Sequence, residues 1–117
     1  ALGVRHILDT LNTRGYAIDT LHVTGGHTKN AVLMELYADA TGCTVVESAA
    51  KDATLLGMAM VAATAAGLHP SLDQACVAMQ QGGRARAPDA AARPQFDKDY
   101  RIFLEMLRHR QVIDAMS

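Results

Sequence analysis

The residues best suited to chemistry in this 117-residue chain are Thr24-Gly25-Gly26-His27-Thr28-Lys29-Asn30. They follow a short apolar run, Leu21-His22-Val23, and precede an amphipathic one, Val32 to Tyr37. A strand, two glycines and a helix start make a shape that suits a phosphate. Glycine lets the backbone approach a ligand closely, and the free N–H groups and dipole at a helix N-terminus favour an anion. The same residues also make a plain βα turn, the commoner use of a Gly-Gly pair between strand and helix. Both readings stand on spacing alone.

The other reactive side chains read as structural. His6, His22, His69 and His109 have no mutual spacing for a metal site. Asp52 stands near the start of an apolar helical run, where a carboxylate favours the dipole. Asp39 falls at a helix end, and Arg108-His109-Arg110 is a solvated cluster near another. Cys43 and Cys76 are far apart in apolar surroundings and read as reduced, buried thiols of a cytoplasmic protein.

The elements that must position the glycine turn follow from periodicity. Val4, Ile7, Leu8 and Leu11 fall at i, i+3, i+4 and i+7 and predict a helix over 1–14. It begins inside its own pattern with no cap, which reads as a piece cut from a longer protein. A strand is expected over 21–24, then a helix over 30–40 with Val32, Leu33, Leu36 and Tyr37 inward. A second strand covers 43–46, and a polar loop covers 47–52. The third helix, 53–66, is small or apolar on every side, so it is expected to be enclosed, with Gly57 at a close contact. Ser71 with Gln74 makes a capping box for a fourth helix, which ends near Met79. A connector runs over 80–94, with a short extended piece near Ala85. The last helix, 95–113, carries a buried stripe of Phe96, Tyr100, Phe103, Leu104 and Leu107. The order is α-β-α-β-α-α-α. Two strands do not make a stable sheet, so further strands are expected upstream.

Composition excludes several classes. The formal net charge is −1 with mixed signs, so no basic stripe exists for nucleic acid. Trp is absent and the aromatics are three Tyr and two Phe, too few for a base-stacking platform. No apolar run is long enough to span a membrane.

Taken together, the motifs resemble one family. The Gly25-Gly26 pair, Asn30 four residues after its second glycine, Leu33-Met34, Ala38-Asp39 and Thr41-Gly42 resemble the C-terminal domain of the FGGY carbohydrate kinases. Ala53-Thr54-Leu55-Leu56-Gly57-Met58-Ala59 resembles the helix that follows in that family. Leu68-His69-Pro70-Ser71-Leu72-Asp73-Gln74-Ala75 resembles its ribulokinase-like branch, and Tyr100 to Leu104 resembles its last helix.

The resemblance implies an α/β fold, with residues 1–117 the C-terminal, nucleotide-binding part of an actin-like ATPase (ribonuclease H-like) domain truncated on its N-terminal side. It implies a kinase that moves the γ-phosphoryl group of ATP, with Mg2+, onto a sugar hydroxyl, of a pentulose such as ribulose. Gly25 and Gly26 would lie against the α-phosphate and ribose, and Asn30 would reach the adenine. His27 replaces the small residue that usually follows the glycines, and would touch the phosphates or cap the helix. The catalytic Asp and the sugar contacts belong upstream, so the chain alone is expected to be inactive, meeting its sugar through a missing N-terminal domain. A severed sheet edge leads to an expected homo-oligomer. The alternative is an actin-like module that binds nucleotide or a partner without sugar chemistry.

Overall fold

The computed structural model describes residues 1–116. A three-stranded sheet divides two helical layers. Helix α1 is Leu2–Asn12, strand β1 Thr20–Val23, helix α2 Ala31–Thr41 and strand β2 Thr44–Ser48. Helix α3 is Ala53–Ala65, helix α4 Leu72–Met79, strand β3 Gly83–Arg86 and helix α5 Arg93–Met116. A 3-10 turn, Gly25–Lys29, joins β1 to α2.

Strands β1 and β2 pair in parallel, with Leu21 opposite Val45 and His22 opposite Val46. A parallel pair needs a crossover, and α2 supplies it. Alternation along the strands then sorts the side chains. Leu21, Val23 and Val45 meet Met34, Ala38 and Tyr37 of α2 to form the core. His22, Val46 and Ser48 face the opposite layer, beside Leu56 and Met60 of α3.

The helix α2 is held at both ends. Asn30 accepts the Leu33 N–H on its side-chain oxygen at 3.1 Å. Gly42 stops the helix at φ 75°, a left-handed conformation suited to glycine. Half of the expected inner face holds: Leu33 and Tyr37 pack against the core, whereas Val32 and Leu36 are exposed and Met34 and Ala38 are fully buried. The small Ala38 lets the sheet approach, which turns the helix away from Val32 and Leu36.

The third strand lies where a connector with an extended piece near Ala85 was expected. It pairs antiparallel with β2, Ser48 opposite Gly83 and Val45 opposite Arg86. Arg86 binds Glu35 of α2 at 2.6 Å and Glu47 of β2 at 3.3 Å, so one guanidinium ties three elements together.

The helices α1 and α5 meet through polar groups. Arg5, buried instead of Ile7, donates to Asp97 at 2.7 Å and lies over the Tyr100 ring at 4.2 Å. Of the expected α5 stripe, Tyr100 is buried and Phe96, Phe103, Leu104 and Leu107 are half-buried. The hydrogen bond from Arg5, with Arg93 nearby, holds the Asp97 carboxyl below the usual carboxylate range despite some opposing desolvation. A lowered pKa contributes stability above the ordinary carboxylate value, and that stability is lost as the pH falls through the lowered one. Asp97→Asn should therefore lower the melting temperature at neutral pH, and the gap to the parent chain should close below about pH 4. A gap that stays constant across that range would contradict this account.

Two burial expectations are corrected. Cys43 is buried, but Cys76 is exposed. No residue of α3 is buried; Leu55, Met58 and Val61 are each more than half exposed, and a Cβ built on Gly57 meets nothing within 4 Å. Within the described residues α3 touches α4 and one sheet face, and its remaining apolar surface is open.

Candidate functional site

The two loops that leave the carboxyl ends of parallel strands β1 and β2 face each other. In open α/β sheets this is where ligands bind. They enclose a cleft of about 700 Å³. Thr24, Gly25, Gly26, Thr28 and Lys29 form one wall; Ser48 to Thr54 form the other.

The glycine wall is shaped by its own bonds. Gly25 has φ 79°, which a side chain would strain. Thr28 Oγ donates to the Gly25 carbonyl at 2.8 Å, and the Asn30 N–H donates to the His27 carbonyl at 3.1 Å. A Cβ at Gly25 or Gly26 would meet no atom within 4 Å. The glycine wall is thus bare backbone, open toward the cleft. Successive N–H groups in such a turn make a concavity for an anion.

The opposite wall is the start of α3. Asp52 caps it, accepting the Leu55 N–H at 2.9 Å. The positive end of this helix opens on the cleft at Ala53 and Thr54. Lys29 and Lys51 flank the opening, against one carboxylate, Asp52. Backbone donors, a helix N-terminus and two ammonium groups suit a phosphorylated ligand.

The predicted site residues do not all converge. Gly25 and Gly26 line the cleft. Asn30 lies one residue beyond Lys29 and outside the lining, exposed, with its oxygen committed to capping α2. That bond fixes the amide so that Nδ2 is left as a donor. His27 is turned away: its Nδ1 is 3.4 Å from Tyr37 Oη, and it borders a separate cavity with Val4, Leu21 and Val23. Sequence reasoning missed the second wall, reading 47–52 as a polar loop. The signal was available, because the loop after a second parallel strand lies beside the loop after the first.

Among the described residues no group of His, Cys, Asp or Glu is arranged to hold a metal ion, and no helix is long and apolar enough to cross a membrane.

Comparison with known proteins adds a consistent picture. The model of the FGGY family of carbohydrate kinases, C-terminal domain, matches residues 1–66. An FGGY carbohydrate kinase domain-containing protein of Xenopus laevis is 37% identical over 116 residues, 99% of this chain and 21% of that protein. A ribulokinase of Mycolicibacterium smegmatis is 38% identical over 86 residues, 74% of this chain and 15% of its own length. The crystal structure of xylulose kinase from Rhodospirillum rubrum superposes with a TM-score of 0.76 at 27% identity, covering 96% of this chain and 23% of that one. The chain thus spans about a fifth of the length of the FGGY protein it matches.

Proposed function

Because the chain belongs to the FGGY family of carbohydrate kinases, whose fold is of the actin-like ATPase type, we propose that it forms the nucleotide-binding wall of a kinase that phosphorylates a pentulose hydroxyl from ATP. The observation that carries this is the cleft itself: a glycine turn and a helix N-terminus facing each other at the carboxyl ends of two parallel strands.

MgATP supplies the γ-phosphoryl group. The residues of this chain bind and orient the nucleotide. The Gly25 and Gly26 backbone lies against the α-phosphate and ribose. Asn30 offers its Nδ2 to an acceptor on the adenine edge, while its oxygen continues to cap α2. Lys29 and Lys51 add screening for phosphate charge. The base that takes the proton of the sugar hydroxyl, and the groups that hold the sugar, belong to a part of the protein outside these residues. Phosphoryl transfer requires base, metal and charge stabilisation together, so the 117-residue chain by itself should release no ADP above background.

The test is a coupled ADP-release assay with a panel of ketopentoses, on the enzyme that contains this segment. Turnover should depend on the sugar. Asn30→Ser keeps a capping oxygen and loses the amide donor. It should raise the KM for MgATP several-fold with little change in thermal stability. ATP turnover indifferent to every sugar would point instead to an actin-like nucleotide-binding module and would sink the proposal. Soluble partners follow from this reading: a sugar and a nucleotide, with no nucleic acid.

A further inference from the structure

His27 sits in the middle of the glycine turn, yet its ring leaves the cleft and meets α2. Tyr37 Oη lies 3.4 Å from His27 Nδ1, and the two rings are 6.1 Å apart. Tyr37 itself is packed against the core of Met34, Ala38 and Val45. Two other ties act on the turn: Thr28 Oγ donates to the Gly25 carbonyl, and Asn30 anchors its exit to α2. The Gly25-Gly26 half carries no side chain that could hold it in place.

We infer that His27 and Tyr37 are a positioning pair: Tyr37 anchors the His27 ring to the core, and the ring in turn holds the Gly25-Gly26 N–H groups at the cleft in the conformation a phosphate needs. The inference rests on reading the cleft as a nucleotide site. It gives His27 a part in binding without contact to the nucleotide. A turn already held in its bound shape loses less freedom on binding. Releasing it should weaken affinity by about 3- to 10-fold, while the fold, secured by α2 and β2, stays intact.

The experiment is titration of ADP into the 117-residue chain, followed by amide chemical shifts, which report weak binding, with a thermal melt of each variant. Tyr37→Phe removes only the hydroxyl. His27→Ala removes the ring, and His27→Asn restores an acceptor near the phenol. Each of the first two should weaken ADP by about 3- to 10-fold, with melting temperatures little changed. The double variant should be no worse than the weaker-binding single, the mark of two residues acting through one another. His27→Asn should recover part of the loss. Weakening by His27→Ala but not by Tyr37→Phe would mean that His27 acts on the nucleotide directly, and would overturn the positioning role. Unchanged affinity in all these variants, with binding still abolished by Gly26→Val, would also overturn it and leave the nucleotide site standing. Absence of ADP binding to the parent chain would remove the site and the pair together.

Discussion

Gly26→Val should cost the chain at least about tenfold in adenine-nucleotide affinity, roughly 1.4 kcal/mol, and leave its melting temperature nearly unchanged. The separation of the two effects is what the structure makes possible. A Cβ at Gly26 meets no protein atom within 4 Å, and the residue does not have positive φ. A side chain is therefore begun there without a clash, on a residue that lines the cleft. Gly25 is the useful contrast. Its φ of 79° is left-handed, so Gly25→Ala should also destabilise, by about 1 kcal/mol or more. Nucleotide titration paired with melting distinguishes a residue whose absence of side chain serves a ligand from one whose absence serves the backbone. Undiminished affinity in Gly26→Val would mean that the nucleotide does not pass over this turn.

The largest effect on stability should come from Met34→Ala, at about 2–5 kcal/mol. Met34 and Val45 are the largest fully buried side chains, and they meet between α2 and β2. The core around them is small. A domain of this size has a total stability of roughly 5–15 kcal/mol, so the substitution should bring the chain close to unfolding. Urea denaturation of both chains gives the difference directly. A loss below about 1 kcal/mol would mean that the α2–sheet interface collapses around the missing atoms far better than tightly packed interiors usually do.

The parts legible in the sequence were those fixed by neighbours along the chain. The Ser71 cap was read from its spacing to Gln74, and Asp52 was placed at its helix start; Asn30, read only as a nucleotide contact, proves to cap α2 in the same three-residue pattern. The helix stop at Gly42 is equally local, and the glycine turn announced itself by composition. What was not legible depends on distant contacts. The extended piece near Ala85 was legible, but its place as the third strand of the sheet, beside β2, was not. That place rests on pairing with β2 and on the ties of Arg86 to Glu35 and Glu47, all remote in sequence. The inward face of α2 was read half right: Leu33 and Tyr37 pack against the core, but the fully buried Met34 and Ala38 take the places expected of Val32 and Leu36. The apolar character of α3 was read correctly, and enclosure did not follow from it, since burial is a property of a helix's surroundings. At the site the glycine wall was visible and the Ser48–Thr54 wall was not, because only the parallel pairing of β1 with β2 brings the two loops together.

That pairing has a consequence for how the cleft can vary. Strand β2 ends at Ser48, which lies opposite Gly83 at the start of β3, and the Ala49 N–H reaches the Gly82 carbonyl at 3.2 Å. The chain therefore leaves the sheet and rejoins it at one place. Everything between, α3 and α4 included, is an excursion whose two ends meet at the same rung of the ladder. One jaw of the cleft is bolted to the strand ladder, and the other rides on this excursion. Lengthening, shortening or tilting the excursion resets the gap between the jaws and breaks no rung of the ladder. The fold thus offers a way to adjust what the cleft admits without renegotiating the sheet that holds it.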